Sequence, residues 1–318
     1  MTISKTVIAG IGSAGIAVVF IMGGSLPAVA GNQAVAQHVA TVGASQIELM
    51  HVHGLSYSAD GKKIFIPSHN GLAVYSNGGW SKLAGPESDF MGFSATHNAF
   101  YSSGHPAAGS SEVNPFGVIK SKDGGKTWQK LGLAGEADFH TLATSFGTNV
   151  VYVMNHQPNT RMSDAGIYAT DSDGMKWRKA AANGLGAKVN SLAVHPTDAK
   201  IVAAGAADGL YLSRDGGDHF ERLAANKQVL AEWFDLSGDQ LWFSSYAGKP
   251  MLSQINLKKG ATAKNVPLSM AGDDAVAYIA QNPVNRDEIA IATFKRSVYV
   301  SKDRGRNWTQ IATEGKAS

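Results

Sequence analysis

The octapeptide Ser121-Lys122-Asp123-Gly124-Gly125-Lys126-Thr127-Trp128 decides how the rest of the chain is read, because near copies of it recur. Ser213-Arg214-Asp215-Gly216-Gly217-Asp218-His219-Phe220 and Ser301-Lys302-Asp303-Arg304-Gly305-Arg306-Asn307-Trp308 repeat it closely, and Thr170-Asp171-Ser172-Asp173-Gly174-Met175-Lys176-Trp177 repeats it loosely. The copies open at 121, 170, 213 and 301, so the gaps are 49, 43 and 88 residues, and 88 is twice 44. A shortened version, Ser76-Asn77-Gly78-Gly79-Trp80, lies 45 residues upstream of the first, and one copy has decayed near residue 257. Six periods of about 45 residues mean a propeller or a solenoid before any other architecture. Each copy reads as a hairpin between two strands. Its Ser and Asp side chains bond back to turn amides, its glycine takes a positive φ, and its aromatic pins the following strand.

Within each period the chain reads as four short strands bounded by Gly, Asn, Asp and Pro. The expected blades run from 50 to 85, 87 to 134, 136 to 185, 186 to 226, 227 to 270 and 271 to 314, with Lys258-Lys259-Gly260 standing where the fifth hairpin belongs. The fold class is therefore all-β: a six-bladed β-propeller of four-stranded antiparallel blades, or seven-bladed if the segment before residue 50 completes another. Radial repetition leaves short protected edges and a central channel, which is where propellers usually put their chemistry.

The octapeptide resembles the Asp-box, or BNR repeat, of sialidases, some other glycosidases, sortilin-type receptors and photosystem assembly propellers. The segments HVHGLSYSADGKKIFIPSHNGL (51 to 72), DFMGFS (89 to 94), SSGHP (102 to 106), DFH (138 to 140) and NHQPNTRM (155 to 162) are also similar to a group of small exported bacterial propellers labelled glycosyl hydrolases. The resemblance covers nearly the whole mature chain. It implies a propeller whose boxes lie on the outer rim, away from the site, with glycoside hydrolysis as one activity to weigh.

At 318 residues, 44% hydrophobic and 17% charged, the chain is globular and long enough for one large all-β domain. Its net charge of +3 is small, and its lysines and arginines form no basic stripe, which argues against nucleic acid as a partner. Residues 1 to 30 stand apart: Lys5, an apolar run from 7 to 24, then Ala28-Val29-Ala30 before Gly31. That pattern is a secretory signal peptide cleaved near Ala30, followed by a tether over 31 to 49 and a single propeller domain over 50 to 318. The alternative is an uncleaved anchor, since the run approaches the ~18 residues at which a spanning helix begins. Membrane contact follows only in that case, and the cleaved protein is periplasmic or extracellular. With no cysteine, the exported chain carries no disulfide, so packing must stabilise it.

Aligning the first strands sets His51-Val52-His53 against Asp89-Phe90-Met91 and Asp138-Phe139-His140. The strand period of two puts His51 with His53, Asp89 with Met91 and Asp138 with His140 on common faces. The loop after the second strand supplies another register, holding His69, His105 and His156, where blades four to six carry Ala206, Tyr246 and Phe294. Both registers open on one end of a propeller, so six of the ten histidines are expected to converge there, and His38, His97, His195 and His219 to fall elsewhere.

Neutral imidazole is the commonest metal ligand, and several on a rigid scaffold make a preformed site. The expected ligands are His51, His53, His69, His105, His140, His156 and Met91. The thioether of Met91, and further off those of Met154 and Met162, favours copper, with zinc or iron as alternatives. Asp89 and Asp138 are placed to orient imidazoles or to move protons.

Two other functions stay open. A glycosidase needs paired carboxylates about 5 to 9.5 Å apart, for which Asp89 and Asp138 are candidates and Glu232 a third. A sialidase is disfavoured, since the Phe-Arg-Ile-Pro motif is absent and only Arg161, Arg286 and Arg296 lie clear of the outer hairpins. A noncatalytic binding or assembly module is the other reading, with a small molecule or glycan at the mouth beside Trp233, Tyr246 and Phe294.

Overall fold

The computed structural model describes residues 47–258, 260, 262–270 and 272–317. The expected signal peptide, nearly all of the tether, His38 and Lys259 lie outside the described residues. Six four-stranded antiparallel sheets follow one another along the chain, each with its strands in sequence order, and no helix occurs among the described residues. They run from Ser56–Tyr57 to Gly79–Lys82, from Asp89–Ala95 to Gln129–Gly132, from Leu142–Thr144 to Arg178–Lys179, from Val189–Val194 to Phe220–Ala225, from Gln228–Phe234 to Ala263–Val266, and from Val276–Gln281 to Thr309–Ala312. The protein is a six-bladed propeller.

Both faces of an inner strand meet a neighbouring blade, so these strands are apolar throughout rather than alternating. The second strand of blade 4, Val202–Ala206, is buried at all five positions. The seam between blades 4 and 5 packs Ala193, Ala203, Leu210 and Leu212 against Val229, Phe234, Leu241 and Phe243. Each such large side chain withdrawn from water contributes about 1.5–3 kcal/mol.

The ring closes without exchanging a strand between blades. Ile47–Glu48 pairs antiparallel with Lys316–Ala317 in a separate two-stranded ribbon, so the residues before blade 1 seal the ring instead of building a seventh blade. Leu49 N–H donates to Gly315 O at 2.7 Å, and Trp80 Nε1 of blade 1 donates to Ile311 O of blade 6 at 2.8 Å.

The repeated octapeptides join third to fourth strands, and their bonding explains their composition. Ser121 Oγ accepts the Gly125 N–H at 2.8 Å and donates to Asp123 Oδ1 at 2.8 Å; Asp123 Oδ1 also accepts Lys126 and Thr127 N–H, while Oδ2 takes the Thr127 hydroxyl at 2.6 Å. Ser213 with Asp215 and Ser301 with Asp303 repeat the pattern, His219 and Asn307 replacing Thr127. The fourth and fifth positions of every copy have positive φ. The fourth admits Asp173 (50°) and Arg304 (59°), but the fifth is glycine each time. At Gly305 a Cβ would lie 2.7 Å from Val266 Cγ1, so the neighbouring blade leaves no room for a side chain.

An up-and-down sheet places its first and third connections at one end and its second connection at the other. The octapeptide hairpins therefore sit opposite the loops holding His69, His105 and His156. His97, His195 and His219 also fall on the hairpin end: His97 bonds Phe146 O, His195 Nδ1 accepts the N–H groups of Thr197 and Asp198, and His219 bonds Asp215.

Hydrogen bonds from Thr127 and Asn307 hold the carboxyls of Asp123 and Asp303 down to about 2, against 3.8 for a free aspartate. Because the folded value lies below the unfolded one, the contribution is complete above 3.8 and is lost as pH falls toward about 2. Acid unfolding should steepen in that window. The double variant Asp123→Asn/Asp303→Asn should be less stable than the parent at neutral pH and lose less stability on acidification, read as denaturant midpoints across the window.

Candidate metal centre at the channel mouth

His51 and His53 lie on the extended segment entering blade 1, tied to its second strand by His53 N–H to Pro67 O at 3.2 Å. His69 follows the end of that strand, Ile64–Ser68. The three rings pack together, with centroids 6.0 Å apart for His51 and His53, 4.3 Å for His51 and His69, and 5.1 Å for His53 and His69. Each offers a ring nitrogen, and the three nitrogens lie within 4.8 Å of one another.

Carboxylates from the following blades back these imidazoles across the seams. Asp89, the first residue of blade 2, accepts from His69 Nδ1 at 2.6 Å and lies 3.6 Å from His53 Nε2. Asp138, at the start of blade 3, lies 3.1 Å from His105 Nε2 of blade 2 and 3.2 Å from His140 Nδ1 of its own blade. In both seams a histidine from the second connection of one blade meets an aspartate at the start of the next. At the third seam the corresponding position is Lys188, and His156 stands exposed at the channel without a carboxylate.

The hydrogen bonds decide which nitrogens remain available. Nδ1 of His69 donates to Asp89, which fixes the tautomer and leaves the Nε2 lone pair free. His140 is likewise left with Nε2. His105 has its Nδ1 bonded to the Asn114 side chain at 2.6 Å and its Nε2 3.1 Å from Asp138 Oδ2, so both nitrogens face protein partners. His53 Nε2, Asp89 Oδ1 and Asp138 Oδ1 are buried without hydrogen-bond partners. Burial pushes the His53 pKa down to about 4, opposed by the nearby Asp89 charge and assisted by the other imidazoles, so the ring is neutral at neutral pH. Met91 is buried two residues beyond Asp89, opposite Ser103, whereas Met162 belongs to the blade 3 core and Met154 packs toward blade 4.

His53, His140 and His156 face a central cavity of about 490 Å³. Its far wall carries Glu232, which sequence leaves without a partner and which the fold gives one. Ser191 Oγ of blade 4 donates to Glu232 Oε2 at 2.5 Å, while Oε1 has no partner. Gly205 makes the space, since a Cβ there would lie 2.5 Å from Oε2. Burial pushes the Glu232 pKa up to about 7, against the lowering effect of Ser191 and the Gly205 amide. Arg161 is committed to the backbone carbonyls of Leu131 and Gly174, and Arg286 lies on the hairpin end. Arg296 is the exception: it stands beside the histidine triad, in a recess with Met50, His51 and Phe294. Its place in the sixth-blade loop equivalent to that of His69 is the one sequence signal for this.

Neither protein-family models nor curated protein sequences give a match to this chain. Solved structures do, and they are β-propellers. A GH74 enzyme of Niastella koreensis superposes with a TM-score of 0.56 at 15% identity, over 84% of this chain and 47% of that one. The GH74 xyloglucanase from Xanthomonas campestris gives 0.54 at 16%, over 84% and 46%. The extracellular domain of BT4673 from B. thetaiotaomicron gives 0.52 at 15%, over 85% and 34%. This chain spans about half or a third of the length of those structures, and the likeness is one of fold. No helix among the described residues is long and apolar enough to cross a membrane.

The seam geometry depends on Gly92, which has φ +54° and lies where a Cβ would collide with Phe139 O, between Asp138 and His140. Gly78 also has positive φ (+79°), but nothing lies within 4 Å of its Cβ position. Gly78→Ala should cost about 1 kcal/mol through φ alone. Gly92→Ala should cost about 3 kcal/mol or more because the blades must part, with urea midpoints as the measurement.

Proposed function

We propose that this chain is an exported propeller whose hairpins are Asp-boxes and whose channel mouth binds a transition metal, copper, for redox chemistry or metal handling. The observation that carries this reading is the convergence of three imidazoles from two separate stretches of blade 1, one with a buried, partnerless nitrogen. His51, His53 and His69 would hold the ion; Asp89 orients His69 as an outer-shell carboxylate. Imidazole donors suit copper, zinc and iron, and copper is preferred here on the thioether of Met91, a soft donor two residues beyond Asp89 in the strand. A bound copper ion would supply one-electron redox chemistry, or would itself be the cargo.

The glycosidase alternative rests on Asp89 and Asp138. Each carboxylate is flanked by two imidazoles, which suits a role in orienting rings better than direct attack on a sugar. Export rests on the N-terminal apolar run and its Ala28-Val29-Ala30 sequence, and the mature protein should begin at Gly31 by N-terminal sequencing.

Metal analysis of untagged protein supplied with copper and zinc tests the main reading. His53→Ala and His69→Ala should abolish uptake, His97→Ala should leave it intact, and Asp89→Asn should weaken affinity about 10–100-fold. Equal metal content in His53→Ala and the parent would overturn the ligand assignment. Cleavage of an aryl glycoside by metal-free protein, abolished in Asp138→Asn, would put the hydrolase in its place.

A further inference from the structure

Beside the triad, and adjoining the central cavity, with which it shares Tyr278 and Phe294, lies a recess of about 450 Å³ whose walls also include Met50, His51, Val52 and Arg296. Two features set it apart. Phe294 is 59% exposed and Met50 36% exposed, so two of the six large hydrophobic side chains exposed among the described residues line this recess, Phe294 at its border with the central cavity. Apolar groups left to water at a concave site mark a place where a ligand covers them.

The second feature is the guanidinium. The Arg296 guanidinium makes no ion pair among the described residues, and its one hydrogen bond there is from Nη1 to Met50 O at 3.1 Å. The nearby aspartates have other partners: Asp273 pairs with Lys295, and Asp274 accepts the amides of Ala275 and Lys295. Arg296 itself sits at φ +65°, a conformation that points to a position set by its surroundings. A planar fork with unused donors matches a carboxylate in two-point contact.

We infer that this recess binds an organic monoanion with an apolar body, its carboxylate on Arg296 and its body over Phe294 and Met50. His51 belongs both to the recess and to the triad, so the anionic head comes to rest beside the proposed copper ligands. The meaning of the recess as a substrate site rests on the metal reading; the binding itself does not. The substrate class is then an organic acid rather than a neutral glycan.

Calorimetric titration of the metal-free protein tests this, with benzoate as the probe, benzyl alcohol as the body without the charge, and formate as the charge without the body. Benzoate should bind about tenfold more tightly than either control, Arg296→Gln should weaken it about tenfold, and Arg296→Lys should restore part of the loss. Because Arg296 also holds the Met50 carbonyl, Phe294→Ala is the arm that leaves that bond in place, and it should weaken benzoate severalfold without affecting formate. Benzoate binding no better than benzyl alcohol, or unchanged in Arg296→Gln, would overturn the inference, as would parental affinity in Phe294→Ala. The titrations are repeated with copper added and followed by electron paramagnetic resonance, where benzoate should shift the copper signal. Copper uptake without benzoate binding sinks this inference and spares the metal centre; benzoate binding without copper uptake does the reverse.

Discussion

The seam between consecutive blades is the constraint on which the rest of this structure depends. A blade cannot bury its apolar faces alone, so each is held by the faces of the next, and the ring is stable only when every seam is filled. The apolar wall of Val229, Phe234 and Phe243 against Ala203 and Leu212 is typical of the inner seams. Close approach is bought with small residues: Gly54 against Phe93, Gly92 against Phe139 and Gly205 against Glu232 each occupy points where a Cβ would intrude on the adjacent blade. The same closeness sets the polar chemistry at the mouth, because Asp89 reaches His69 and Asp138 reaches His105 across seams.

The mouth is not symmetric. Blades 1 to 3 present imidazoles and carboxylates, and blades 5 and 6 present Tyr246, Phe294 and Arg296 at the equivalent loops. The repeated pairing of a loop histidine with the next blade's aspartate runs through two seams and stops at Lys188. One half of the rim therefore carries clustered imidazoles and carboxylates, and the other carries exposed aromatic rings and a guanidinium. Between them the channel holds Glu232, a carboxyl whose desolvation brings its titration near neutrality.

Burial also separates the histidines from one another. His53 is kept neutral by desolvation, whereas His156 is open to solvent and His105 faces protein partners at both nitrogens. Six imidazoles at one rim thus divide by their neighbours: three on blade 1 converge, His105 and His140 flank Asp138, and His156 faces the channel.

The octapeptides, with the blade alignment they set, by themselves determined the propeller and the end of the ring on which the histidines gather, while the choice of six blades over seven waited on the closing ribbon. They could do so because a repeat of Ser, Asp and Gly at fixed positions is local turn chemistry, satisfied within eight residues, and because the order of strands in a blade fixes which connections share an end. The strand period itself does not reach His51, His53, Asp138 and His140, which precede the first strands of their blades. The separate closing ribbon, the Ser191 hydroxyl that meets Glu232, the placing of Asn114 and Asp138 at the two nitrogens of His105 and the shared recess of Arg296 and His51 were decided by tertiary structure alone. These are contacts between residues far apart in the chain, set by the distance and stagger between blades, and no local pattern encodes that distance.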